Sequence, residues 1–171
     1  MSPLAAPIAP PARSAGPLPP TIKAAVTLWG ACALLGLGNA GLGFVLSGFG
    51  VPVNASQRDP VGVAIALLFA LLVLVLAYQT GGGRAAGTKS SGNASLLLAF
   101  LYAGFAVLSL LMIVTGQGWG GAEVGLYVAA ALVGLQALFL LVAGFLAVRG
   151  QKAYEAWRAA RTTRPASPVN A

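Results

Sequence analysis

Three uncharged polar side chains, Asn39, Ser109 and Gln136, sit deep inside stretches that are otherwise almost wholly apolar, with Thr27 and Cys32 completing the polar set there. Amides and hydroxyls of this kind can tie helices together or line a polar path, but they do not work as acids or bases. The chain has no histidine, and its three acids, Asp59, Glu123 and Glu155, all fall outside the apolar runs. Intramembrane enzymatic chemistry therefore lacks a visible base, a metal-ligand set or a nucleophile–base pair. The single cysteine, Cys32, excludes an internal disulfide and any cysteine-based metal cluster. The expectation is a protein that is not an enzyme, with no cofactor and no metal.

The elements that hold these residues follow from hydropathy. Only 8% of the chain is charged, against roughly 25% in soluble domains, so lipid must be the solvent for much of the surface. Four continuous apolar runs, about 24–46, 61–78, 95–114 and 124–148, are long enough to cross ~30 Å of hydrocarbon as helices. Barrel strands would instead show ~10-residue segments of alternating character. The expected fold is all-α, an integral membrane four-helix bundle over residues 23–148. A Pro-rich tail over 1–22, holding seven of the eleven prolines, is expected to be disordered. Residues 149–171 form a basic tail, amphipathic over 149–161. The Gly/Ser-rich stretch 79–94 reads as a flexible loop, and Ser95 as a helix cap.

Counted along their spans, Gln136 lies near the midplane, with Asn39 and Ser109 ~5–6 Å to its outer side. The three could meet and hydrogen-bond between the first, third and fourth spans, each bond contributing ~0.6 kcal/mol. The alternative is a polar step along a conduction or substrate path. Small residues at four-residue spacing (Cys32, Gly36 and Ala40; Gly62, Ala66 and Ala70; Ala99 and Ala103; Ala130 and Gly134) favour close helix approach.

Nine of the ten basic residues share one side of the implied membrane, and Arg58 alone lies on the other. That asymmetry places both termini in the cytoplasm. The net charge of +7 belongs to span flanks, so it points to lipid rather than nucleic acid. Around Arg149–Arg161, Tyr154 and Trp157 share a helix side with several alanines, opposite Lys152, Glu155 and Arg158. One reading is a helix lying on cytoplasmic headgroups, with Arg149, Lys152, Trp157, Arg158 and Arg161 as lipid-surface contacts. The other is a stub continuing the fourth span into water, with Gly150 as a natural bend.

The run Pro20-Thr21-Ile22-Lys23-Ala24-Ala25-Val26-Thr27-Leu28-Trp29, behind a Pro-rich tail, resembles small uncharacterised four-span membrane proteins of actinobacteria. The likeness implies a multi-pass protein of a bacterial cytoplasmic membrane and attaches no activity. Small multidrug-resistance exporters differ in carrying an acidic residue in their first helix, where this chain has Asn39 and no carboxylate. Two functions remain open. One is an accessory or structural subunit docking anionic lipid, other membrane proteins or a second copy. The other is a small transporter, pore-former or holin-like protein.

The basic asymmetry has a direct check. Cysteine placed at Ser56 or Gln117 should react with an impermeant thiol reagent in intact cells, and cysteine at Ser91 should not. The reverse labelling would overturn the orientation.

Overall fold

The computed structural model describes residues 16–49, 60–115 and 123–162. The Pro-rich tail through Ala15, the segments carrying Arg58 and Trp119, and the C-terminal stretch with Arg164 lie outside the described residues. Among the described residues the chain is all-helical: α1 (Pro20–Gly48), α2 (Pro60–Gly81), α3 (Thr88–Val114), α4 (Glu123–Arg149) and α5 (Gln151–Thr162). Helices α1 to α4 are each long and apolar enough to cross a bilayer, as a four-helix membrane bundle requires.

Helix α1 begins at Pro20, four residues ahead of the apolar run. The Lys23 N–H already donates to the Pro19 carbonyl at 2.8 Å. Proline fits a first turn because its missing N–H would have no intrahelical partner there. Pro60 opens α2 in the same way.

Helix α3 departs most from expectation. It starts at Thr88, so Ser95 lies two turns inside it and caps nothing. The stretch expected to be a flexible loop shrinks to 82–87 and is closed by backbone hydrogen bonds. Gly83 N–H donates to Thr80 O at 3.2 Å and Arg84 N–H to Gln79 O at 2.9 Å, with Gly83 at φ +72°. That is a Schellman ending, which needs a left-handed residue and hence glycine.

Helix α3 packs most closely on α4. A Cβ on Gly92 would stand 2.8 Å from the Gly144 carbonyl oxygen, and a Cβ on Gly144 would stand 2.8 Å from that of Gly92. Helix α1 packs on both α2 and α4, whereas α2 and α3 touch only lightly although consecutive in sequence. The order across the bundle is therefore α2, α1, α4, α3. Trp29, Leu140 and Val73 fill the centre with a set of alanines, Ala25, Ala33, Ala77, Ala99, Ala143 and Ala147. Small residues suit this position: lipid gives no hydrophobic drive between helices, so close van der Waals approach must hold them.

The large side chains turn outward. On α2, Leu68 and Leu71 are exposed while Ala70, Val73, Ala77 and Thr80 face in. Of the small-residue stripes, Cys32, Gly36 and Ala40 are all buried, but Ala103 is exposed and joins no interface.

The glycine crossing makes a testable contrast. Gly144→Ala should lower stability in detergent by about 1–3 kcal/mol, because the added carbon meets backbone that cannot yield. Gly104→Ala, with nothing within 4 Å of the added carbon, should be neutral or slightly stabilising. Denaturant or thermal unfolding of the purified variants measures both.

Candidate functional site: a polar seam and a capped bundle end

Four side chains stitch the helices together from inside. Ser95 Oγ donates to the Leu140 carbonyl at 2.6 Å and accepts the Trp29 indole N–H at 2.8 Å, so one hydroxyl joins α1, α3 and α4. Two turns earlier on α3, Thr88 Oγ1 donates to the Ala147 carbonyl at 2.7 Å. Gln136 Nε2 donates to the Cys32 carbonyl at 3.3 Å, and Cys32 Sγ lies 3.9 Å from the Gln136 carbonyl. The first two bonds explain why a Ser- and Thr-rich stretch is helical here. The Thr88 and Ser95 hydroxyls each have an acceptor on α4, and Thr88, Ser91 and Ser95 are all buried.

The trio expected to meet at mid-membrane does not form one network. Gln136 is 2% exposed and binds backbone across the α1–α4 interface rather than Asn39. Ser109 donates to the Phe105 carbonyl of its own helix at 2.8 Å, the local satisfaction open to any helical serine. Asn39 and Gln136 do border one cavity, which Ser109 does not line. The Asn39 Oδ1 is buried with no hydrogen-bond partner among the described residues, as is Thr80 Oγ1.

The second feature is the bundle end where α5 lies. Gly150 is where α4 gives way to α5: its N–H donates to Leu146 O at 2.8 Å and closes α4, and its carbonyl accepts Tyr154 N–H at 3.0 Å and opens α5. A side chain at Gly150 would run into Ile22 and stand 2.9 Å from Thr21 Oγ1, so the bend fits against the first turn of α1. Beyond it, α5 folds over the end of the bundle. Tyr154 is fully buried with Ile22 and Ala85, and its hydroxyl donates to the Ala85 carbonyl at 3.2 Å. The Trp157 ring would lie 3.1 Å from a Cβ on Gly83, and its indole N–H donates to the Gly16 carbonyl at 2.8 Å.

The structure sets the aromatic face of the C-terminal helix against the bundle end and leaves its basic face exposed, with Gly150 separating it from α4. Of the side chains expected at the lipid surface, Arg149 and Lys152 are exposed, while Trp157 is half-buried against the bundle. Arg158 donates to the Ala86 carbonyl at 3.1 Å, and the Arg161 guanidinium sits 4.9 Å over the Trp157 ring. Arg84 sits in the same manner over Tyr78, at 4.6 Å. These cation–π contacts hold the charges at the rim of the capped end.

Sequence reasoning passed over Thr88 and took Ser95 for a cap, because the Ser/Gly/Asn-rich run around them has the composition of a loop. The heptad spacing of Thr88, Ser95 and Tyr102 was the available signal, since it puts them on one face of a helix. Comparison with protein-family models, with curated proteins and with solved structures finds no match to this chain.

Burial raises the Tyr154 pKa, against the opposing pull of the Arg158 and Arg161 charges. A phenol whose pKa is higher when docked stabilises docking fully below the free tyrosine value of ~10 and loses that contribution as pH rises through the docked value. Spin labels on cysteines placed at Ala86 and Ala160, with Cys32 replaced by Ala, should therefore move apart on raising the pH beyond ~10. Tyr154→Phe should abolish that alkaline step, and at neutral pH it should weaken docking by about 1 kcal/mol.

Proposed function

We propose that this protein is a non-enzymatic accessory or structural subunit of a bacterial cytoplasmic membrane, with both termini in the cytoplasm and its α5 end docking anionic lipid or partner proteins. The observation that carries this reading is the charge gathered around the α5 cap. Lys23, Arg84, Lys89, Arg149, Lys152, Arg158 and Arg161 belong to this end of the bundle, and Glu155 is the one acid set against them among the described residues. The Glu155 carboxylate accepts the Gln151 amide at 2.7 Å within its own helix. A cluster with an excess of positive charge suits the anionic cytoplasmic leaflet, where each basic residue near the headgroups contributes ~1 kcal/mol.

The rival reading is a small transporter or pore. A conducting route needs polar groups free to exchange partners with a solute along the bundle axis. Here the Ser95, Thr88 and Gln136 donors are engaged by backbone carbonyls of neighbouring helices. That favours a static interior over a path.

The test uses the full chain in proteoliposomes, with an environment-sensitive fluorophore on a cysteine at Ala156. Anionic lipid should shift its emission relative to neutral lipid, and the triple change Arg149→Glu, Lys152→Glu, Arg161→Glu should remove most of the shift. The same vesicles should show no protein-dependent ion flux. Emission indifferent to lipid charge, or a robust flux, would overturn the proposal.

A further inference from the structure

In the part of the bundle away from α5, the four membrane helices enclose a cavity of about 140 Å³. Its floor is tight: a Cβ on Gly36 would stand 3.0 Å from Gln136 Nε2 and 3.1 Å from Ala70 Cβ. Its walls are apolar and aromatic, with Phe69 of α2 and Tyr102 of α3 meeting edge to face at 5.8 Å and 81°. Ile65 and Phe105 also line it, and they are 48% and 55% exposed. These two residues therefore run from the cavity wall to the outer surface, along the line where α2 and α3 touch only lightly. The mouth of the cavity opens there, towards lipid.

One group breaks the apolar lining. Asn39 borders the cavity, and its buried Oδ1 has no partner among the described residues, whereas the Gln136 amide nitrogen is held by the Cys32 carbonyl. An amide oxygen kept from water without a donor is costly, and a ligand that brings a donor relieves that cost. The volume bounds the ligand, since an engineered apolar cavity of ~150 Å³ accommodates one benzene ring. Aromatic walls favour a ring, which they meet edge to face or offset.

We propose that this cavity is a binding site for a membrane-soluble molecule whose head is a single aromatic ring bearing one O–H donor. The ring enters between α2 and α3, packs against Phe69, Tyr102 and Phe105, and donates its hydroxyl to the Asn39 amide oxygen, which a turn of the side chain brings from its buried position to the cavity. Any aliphatic tail leaves through the same lateral mouth into lipid. Asn39 also edges an apolar groove on the outer side of α1 and α4, near Leu132 and Leu135. That groove faces lipid openly and offers one aromatic side chain, Phe139, so acyl chains suit it better than a ring with a donor.

The experiment uses the full chain in nanodiscs and fluorine NMR of two probes, para-fluorophenol and para-fluorotoluene, against empty nanodiscs. The phenol should show saturable binding above simple partitioning, about tenfold tighter than the toluene, as one net hydrogen bond allows. Asn39→Leu should erase that preference and leave the toluene unchanged. Val133→Phe, which fills the cavity, should remove saturable binding of both, and Leu135→Phe in the outer groove should change neither. Absence of saturable binding would overturn the proposal. Equal affinity for the two probes would also overturn it, by showing that water and not a ligand donor serves Asn39. Loss of binding on Leu135→Phe but not on Val133→Phe would place the probe in the groove instead. The two-probe comparison in the unaltered chain decides the matter even where a filled variant fails to fold.

Discussion

The close backbone crossing of α3 and α4, at Gly92 and Gly144, is the contact on which the other contacts of this bundle depend. Lipid tails are as apolar as leucine, so burying leucine between helices gains little, and helices stay together where backbones come close enough to interlock. Gly92 and Gly144 permit that distance, with any added carbon meeting carbonyl oxygen at 2.8 Å. The approach then brings Thr88 and Ser95, one turn to either side, within reach of the Ala147 and Leu140 carbonyls. Neither hydroxyl could span a wider gap. Ser95 in turn accepts the Trp29 indole N–H, which fixes the rotation and depth of α1. A close contact between two helices thus sets the register of a third.

The same economy leaves α2 weakly attached. It packs on α1 through a narrow face of Ala70, Val73, Ala77 and Thr80, and its link to α3 is little more than the Phe69–Tyr102 ring pair. Two rings meeting edge to face hold their helices farther apart than two glycines do. The opening beside α2 is the geometric counterpart of the tight α3–α4 seam. Small residues at Gly36, Gly62 and Ala66 deepen it where larger ones would have closed it. A bundle with four equally tight interfaces would have had no such space.

Much of this architecture was legible in the sequence. The number of spans, their helical character and the bend at Gly150 follow from apolar run length and from one glycine between Arg149 and Gln151, where the apolar run has ended. The beginning of α3 did not, because Thr88 to Ser95 carries the hydroxyls, the glycine and the asparagine of a loop. Tertiary bonds to α4 override that local composition. Residue depth was readable for Gln136, but its partner was not: periodicity places a side chain on a face without saying whether a side chain or a carbonyl waits opposite. Asn39 shows the other limit. The amide drew notice for its chemistry, yet only the packing shows that no neighbour among the described residues answers its oxygen.

The fate of the amphipathic helix shows how charge and packing divide their roles at the capped end. Had the Tyr154 and Trp157 face met lipid, attachment to a membrane surface would come mainly from apolar insertion. Instead that face closes over Ile22, Ala85 and Gly83, and the charges that remain outward are Arg149, Lys152 and Arg161 with the single acid Glu155. Attraction to an anionic surface from this end, on the proposed reading, is therefore electrostatic. It acts within a Debye length of ~8–10 Å and weakens with salt. The capped end is also bound to the interior, since Thr88 holds Ala147 just before the Gly150 bend, while Ala85 and Ala86 just before Thr88 hold Tyr154 and Arg158. The crossing that sets helix register also sets where the basic residues stand, so the charge pattern is a property of the folded bundle rather than of a loose tail.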